Sequence, residues 1–358
     1  MDRTDANTGT RPVSDHLAFD EKALTDWMQA RVEGFGGPLT VEQFKGGQSN
    51  PTYKLVTPGA AYVLRRKPPG RLLPGAHAVE REYRVMTALG QAGFPAPRTH
   101  GLEEDESVIG TPFFVMDMVP GRIVWEAHFP DTPAADRGAH FDAMNATIAQ
   151  LHGFDPAAIG LADYGKGEAF VARQVARWSD QYRNDIEAGR VEAMDRLVDW
   201  LRDNAPDRSA EPVRVIHGDF RCDNMIFDAA QPRVRAVLDW ELSTLGDPGA
   251  DFAYHLLMYR MPSAGSFTGL LGRDLADLGI PSEEDYVAAY CERTGRDGVA
   301  DLDYLIVYNM FRLAAIVHGI KGRVARGNAS SAHAVETAKA LEPLAELAWA
   351  NAKAARLP

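Results

Sequence analysis

The stretch VIHGDFRCDNMIFD, residues 215–228, crowds a histidine, an arginine, a cysteine, an asparagine and several aspartates between two apolar runs. Val215-Ile216 on one side and Met225-Ile226-Phe227 on the other are short and β-prone, so each predicts a strand. The polar residues then fall on the connecting turn. A second apolar strand follows in RVRAVLDWE, residues 233–241, and carries Asp239 just past its apolar run. Asp219 and Asn224, five residues apart, and Asp239 thus make a set of oxygen donors at the ends of strands. Two carboxylates and one amide oxygen aimed at one point suit a hard divalent cation such as Mg²⁺. A spare carboxylate beside such an ion can take a proton from an attacking hydroxyl. A catalytic aspartate, an asparagine five residues on and a later metal-binding aspartate are also the parts of the kinase template for phosphoryl transfer. The bland alternative is a turn rich in Asx caps. The joint spacing, with GDPGAD at residues 246–251, favours the site over the turn.

Outward from this stretch the chain changes character once. Residues 19–35 carry apolar residues at helical spacing, with Asp20 as the expected N-cap. LTVEQFKGG, PTYKLVT and AAYVLRRK are short and β-rich and read as three antiparallel strands. AVEREYRVMTALGQAG, residues 78–93, reads as a helix with Val79, Tyr83, Met86 and Leu89 on one face and Gly93 as its cap. Two more strands are expected on either side of the acidic turn at Glu103–Glu106. After Pro120-Gly121 the 3.6-residue period dominates, and from Asp251 onward the chain reads as nearly all helix. The expected organisation is a mobile tail over residues 1–17, a β-rich lobe over 18–118 and a helical lobe over 119–358, in the α+β class.

Bulk properties narrow the function. A chain of 358 residues suits two lobes. Its net charge of −12 argues against nucleic acid or an anionic membrane surface as the main partner. Two cysteines, Cys222 and Cys291, make no disulfide framework and suggest a reducing, cytoplasmic setting. The N-terminal residues lack the apolar core of a signal peptide. No stretch approaches the roughly 18 apolar residues that span a bilayer. The sequence sets no oligomeric state.

The set HGDFRCDN, LDWE and GDPGAD resembles the aminoglycoside phosphotransferase and choline kinase family, which has the protein-kinase-like fold. The resemblance covers nearly all of residues 40–330. It implies a bilobal fold, with a small antiparallel-sheet N-lobe and a mostly helical C-lobe. YVLRRKPPGRLLPGAHAVEREYRV, FVMDMVPGR and RQVARWSDQY resemble more closely the branch that includes the kinase-like domain fused to some acyl-CoA dehydrogenases. The resemblance implies ATP and Mg²⁺ as cofactors and transfer of the γ-phosphoryl to a hydroxyl of a small molecule. A hydroxy acid or hydroxyacyl thioester is the acceptor it favours, with an aminoglycoside as the other candidate. It makes Asp219 the catalytic base and Asn224 and Asp239 the metal ligands. His217 shapes the loop, and Asp251 holds the loop backbone. Glu82 pairs with the cation of the third strand. Met116-Asp117-Met118 forms the hinge that meets adenine, and GGQSN, with Ser49 and Asn50, covers the phosphates.

Two departures matter. YVLR puts Arg65 where the kinase pattern wants lysine, and Lys67 lies on the same strand face. GGQSN also lacks the protein-kinase glycine pattern, and there is no Walker A sequence. The first departure keeps open a nucleotide-binding module without turnover. A metal-dependent hydrolase using His217, Asp219 and Asp239 is the third reading, against which stands the absence of a spaced second histidine pair.

Other residues carry two readings each. Cys222 sits in the motif but lacks a catalytic partner pattern. Arg221 meets either the phosphoryl or anionic acceptor, or a nearby aspartate. The acidic run Ser282–Asp285 reads as a capping box at a helix start rather than a cation pocket. Arg312, inside a long apolar helix, needs a partner, and an intramolecular carboxylate is expected ahead of a substrate anion. Trp178, Trp200 and Trp240 read as core.

Overall fold

The computed structural model describes residues 8–45, 50–70, 77–264, 267–329 and 334–357. The chain forms two compact units: Met1–Trp125 with Ile159–Leu161 and Cys222–Ser243, and Glu126–Ala158 with Ala162–Arg221 and Thr244–Pro358.

The first unit opens with β1 (Thr10–Arg11), α1 (Glu21–Arg31), β2 (Thr40–Phe44), β3 (Thr52–Val56), β4 (Ala61–Arg66), α2 (Val79–Gln91), β5 (Thr99–Glu103), β6 (Phe113–Asp117) and β7 (Arg122–Ile123). A six-stranded antiparallel sheet runs β1-β2-β3-β4-β6-β5. The three strands and the helix expected from the sequence are present. Within the expected tail, Thr10, Arg11 and Leu17 are tied to the sheet, and residues 1–7 lie outside the described residues. Thr10 and Arg11 pair with Phe44 and Gln43, and the Tyr53 hydroxyl donates to the Leu17 carbonyl at 3.0 Å. A two-residue strand has no period to read, so this correction was out of reach of pattern analysis.

Strand alternation sorts the sheet's two faces. Tyr53 and Leu55, Tyr62 and Leu64, and Phe113 and Val115 form one core with Leu24, Trp27 and Met28 of α1. The intervening residues Val63, Arg65, Phe114 and Met116 therefore point to the opposite face. The register pairs Val63 with Met116 and Arg65 with Phe114. Helix α2 ends as expected at Gly93, whose φ of 85° is left-handed backbone that glycine adopts without strain.

The chain continues in the second unit with α3 (Ala134–Gly153), α4 (Phe170–Asn184), α5 (Glu192–Asp203) and β8 (Arg214–Ile216). It returns to the first unit for the hairpin of β9 (Met225–Phe227) and β10 (Val234–Val237). β9 pairs with β7, and the Val237 amide donates to the Pro95 carbonyl at 2.8 Å, which explains that membership. The rest of the second unit begins with β11 (Thr244–Gly246), which pairs with β8. Helices α6 (Pro248–His255), α7 (Leu257–Arg260), α8 (Glu283–Thr294) and α9 (Leu302–Ala325) follow, with a two-residue strand pair at Ser263–Ala264 and Phe267–Thr268 between α7 and α8. Among the described residues no helix is long and apolar enough to cross a membrane.

Candidate active site

In the first unit, Arg65 leaves β4 on the face that α2 covers. Its Nε lies 2.7 Å from Glu82 Oε2, an ion pair without hydrogen-bond alignment. Its Nη2 lies 3.2 Å from Asp239 Oδ1 and 3.6 Å from Glu241 Oε2. Lys67 pairs instead with Glu80, at 2.9 Å. The cation that meets Glu82 is therefore Arg65.

One guanidinium faces three carboxylates. Burial pushes the Glu82 carboxyl up to about 7; Arg65 opposes that shift, while Asp239 and Glu241 add to it. Burial acts against the Arg65 charge, yet the carboxylates outweigh it and hold the guanidinium above its ordinary value. Arg65 is thus the fixed charge of the pair, and Glu82 is the partner that can take a proton. Glu82 is sealed at 3% side-chain exposure, whereas Asp239 is 38% exposed.

Asn224 and Asp239 are brought together by the β9–β10 hairpin, where the Leu238 amide donates to the Asn224 carbonyl at 2.8 Å. Asp239 has a φ of 64°, a strained value for a non-glycine residue. A cavity of about 270 Å³ opens here, lined by Arg65, Glu82, Asn224 and Asp239 at one end and by Met116, Met118 and Ile226 among its apolar walls. A few polar groups converging in an apolar cleft mark a ligand site. The residues fit a magnesium ion: they offer hard oxygen donors, that of Asp239 partly exposed to the cavity. No group of three or more His, Cys, Asp or Glu side chains able to hold a metal occurs among the described residues.

Two expectations about nucleotide contacts are revised. Asn50 is fully buried, donating from Nδ2 to Glu82 Oε1 at 2.8 Å and meeting His77 Nδ1 at 3.0 Å through Oδ1. Its side chain clamps Glu82 rather than facing a phosphate, because a buried carboxylate needs its oxygens satisfied. The Met118 amide donates to the Ala61 carbonyl at 3.2 Å, so it is engaged within the sheet. Ser49 lies outside the described residues, as do Gly46 and Gly47.

In the second unit, β8 delivers the loop of His217, Gly218 and Asp219. Asp251, one turn into α6, accepts the His217 amide on Oδ2 and the Gly218 amide on Oδ1, both at 2.8 Å. His152 Nε2 meets the same Oδ2 at 3.2 Å, and its Nδ1 meets the Tyr290 hydroxyl at 2.8 Å. Burial raises the Asp251 carboxyl, but His152 and then His217 outweigh it and hold it below its ordinary value. The loop turns at Gly218, whose φ is 82°. The Asp219 amide donates to His217 Nδ1 at 3.2 Å.

Sequence reasoning missed Tyr254. Its hydroxyl donates to Asp219 Oδ1. The signal was present in retrospect: Tyr254 lies three residues after Asp251, on the same face of α6. The expected carboxylate partner of Arg312 is absent among the described residues. Arg312 Nη2 donates to the Gly218 carbonyl at 2.9 Å, and its guanidinium carbon sits 5.1 Å from the centroid of the Tyr254 ring. Arg221 lies close enough to Tyr254 to pull its phenol down electrostatically, as Arg312 does. Cys222 is buried. Trp240 donates to the Val237 carbonyl, packs on Phe94 and is core, whereas Trp200 stacks on Tyr304 but is only half-buried. Trp178, expected in the core, is half-buried; its indole nitrogen has no hydrogen-bond partner among the described residues, and Arg177 lies over its ring. Ser282 accepts the Asp285 amide at 3.1 Å and donates to the Asp285 carboxylate, as the capping-box reading expects.

A kinase-type phosphotransferase is the class that this sheet, loop and helical scaffold define, and comparison with known proteins agrees. Residues 40–302 match the model of the phosphotransferase enzyme family, and the chain belongs to that family. It is 42% identical over 342 residues to mouse acyl-CoA dehydrogenase family member 10, covering 95% of this chain and 32% of that protein. It is 42% identical over 349 residues to chicken acyl-CoA dehydrogenase family member 11, covering 94% of this chain and 44% of that protein. The chain thus spans less than half the length of these curated relatives. A solved protein from Ralstonia eutropha, provisionally named an aminoglycoside phosphotransferase, is 47% identical with a TM-score of 0.87, over 95% of this chain and all of that one. A spectinomycin phosphotransferase solved with ADP and its antibiotic shares the fold at a TM-score of 0.61 but only 10% identity, covering 92% of this chain and 98% of that one.

Proposed function

We propose that the chain transfers the γ-phosphoryl of ATP to a hydroxyl of a small anionic acceptor, a hydroxy acid or a hydroxyacyl thioester. The cavity beside Arg65 takes the nucleotide, with Met116 and the Met118 side chain against adenine. Arg65, held by Glu82, steadies the phosphates. Asn224 and Asp239 would hold magnesium, which supplies neutralisation of phosphate charge when bound. Asp219 accepts the proton of the acceptor hydroxyl as its oxygen attacks phosphorus and ADP departs.

The observation that carries the acceptor class is Arg312. It sits against the Asp219 loop in a chain of net charge −12, yet it meets a carbonyl and a ring rather than a carboxylate. A guanidinium left with its charge unpaired suits an acceptor that brings a carboxylate or phosphate. The relatives' names, which place this kind of domain in acyl-CoA dehydrogenase proteins, support the same class.

The test is ADP release from Mg-ATP across hydroxy acids, hydroxyacyl-CoA thioesters and aminoglycosides. The expected result is saturation with a member of the first two groups and a loss of about 10³-fold in Asp219→Ala. Saturation with an aminoglycoside alone would sink the acceptor class. Wild-type turnover in Asp219→Ala would sink the base assignment. Mg-ATP binding with no turnover on any acceptor would favour a regulatory module.

A further inference from the structure

Helix α6 grips three consecutive residues of the loop. Asp251 holds the amides of His217 and Gly218, and Tyr254, one turn later, donates its hydroxyl to the carboxylate of Asp219. Tyr254 is only 6% exposed. A buried tyrosine hydroxyl needs a partner, which Tyr304 finds at the Leu201 carbonyl and Tyr290 at His152. Tyr254 finds instead the one side chain on which the proposed chemistry turns. Burial, and then the Asp219 charge, raise the Tyr254 phenol well above its usual range, so it remains a donor at any working pH. Arg312 closes the arrangement, with its guanidinium over the Tyr254 ring and one nitrogen on the Gly218 carbonyl.

We propose that Tyr254 is a positioning residue for phosphoryl transfer: by donating to Oδ1 it fixes the rotation of the Asp219 carboxylate that meets the acceptor hydroxyl. This rests on Asp219 being the base. A charge-assisted bond to a carboxylate oxygen restricts rotation about Cβ–Cγ before substrate arrives. Tyr254 keeps its own proton throughout; the acceptor's proton goes to Asp219.

Tyr254→Phe removes the donor and keeps the ring. Mg-ATP turnover with water as acceptor, followed as ADP release, should fall about 10- to 100-fold in kcat, with KM for Mg-ATP changed less than about threefold. Tyr254→Gln, which returns a donor, should regain part of that loss. Equal losses in both variants, or none in Tyr254→Phe, would overturn the proposal while leaving Asp219 as base. Undiminished turnover in Asp219→Asn would overturn the base itself. A readout independent of turnover and of the Phe variant's folding is the ¹⁹F resonance of 3-fluorotyrosine placed at position 254. It should shift in Asp219→Asn, and an unmoved resonance would refute the contact.

Discussion

Around Arg65, one guanidinium faces the carboxylates of Glu82, Asp239 and Glu241; around Asp251, one carboxylate faces two backbone amides and His152. The first cluster is partly open, with Asp239 38% exposed. The second is closed and buried, and its donors match its acceptors. Buried polar networks rigidify when they are fully satisfied, and a cluster with an exposed carboxylate keeps room for a ligand. The two regions therefore divide the labour. One fixes the backbone of the Asp219 loop, and the other presents a partly exposed carboxylate to the cavity.

The division predicts unequal responses to the loss of a central residue. Asp251→Ala strands two buried amides and the His152 ring, and nothing nearby can compensate. It should cost about 4 kcal/mol of stability, measured by urea unfolding. A cost below about 1 kcal/mol would show that the loop does not depend on this carboxylate. Arg65→Met should cost less, about 3 kcal/mol at pH 7.5, because Glu82 can relieve the surplus charge by taking a proton. The same variant should cost distinctly less at pH 5.5, where that proton is already bound. Equal costs at the two pH values would contradict a Glu82 pKa near 7.

Much of this was legible in the sequence because it is local or periodic. Strand alternation put Arg65 opposite Leu64 and toward α2. Gly93 announced a helix end, and Ser282 with Asp285 a helix start. The kinase-like spacing of Asp219, Asn224 and Asp239 needed no structure to be noticed. What stayed hidden is long-range or uses the backbone. Tyr254 and Asp219 are 35 residues apart and meet only because β8 and α6 converge. Arg312 chose a carbonyl, which every residue carries and no sequence advertises. Asn50 turned inward because Glu82 needed a donor, a requirement that exists only once both are buried. The hairpin at Met225–Val237 joined the first unit through β7, a strand of two residues.

The smallest effect sharpens the comparison most, because the two regions respond to pH with opposite signs. His255 in α6 is buried between the Phe220 carbonyl and the Tyr286 hydroxyl, at 3.0 and 2.7 Å. Burial lowers it to about 4, against a partial lift from the Phe220 carbonyl. Unfolded, it takes a proton near pH 6.5. Between those values the unfolded chain binds a proton that the folded chain refuses, so this histidine's share of stability is lost as pH falls. At pH 5.0 the loss is about 2 kcal/mol. Glu82 runs the other way. Its folded pKa is raised, so its share is fully present below about 4.5 and is lost as pH rises through about 7. Urea unfolding at pH 5.0 and 7.0 separates them. His255→Asn should shrink the wild-type loss on acidification by about 2 kcal/mol, and Glu82→Gln should enlarge it. Variants that moved the pH difference in the same direction would mean that the buried closed network and the open charged cluster are not electrostatic opposites.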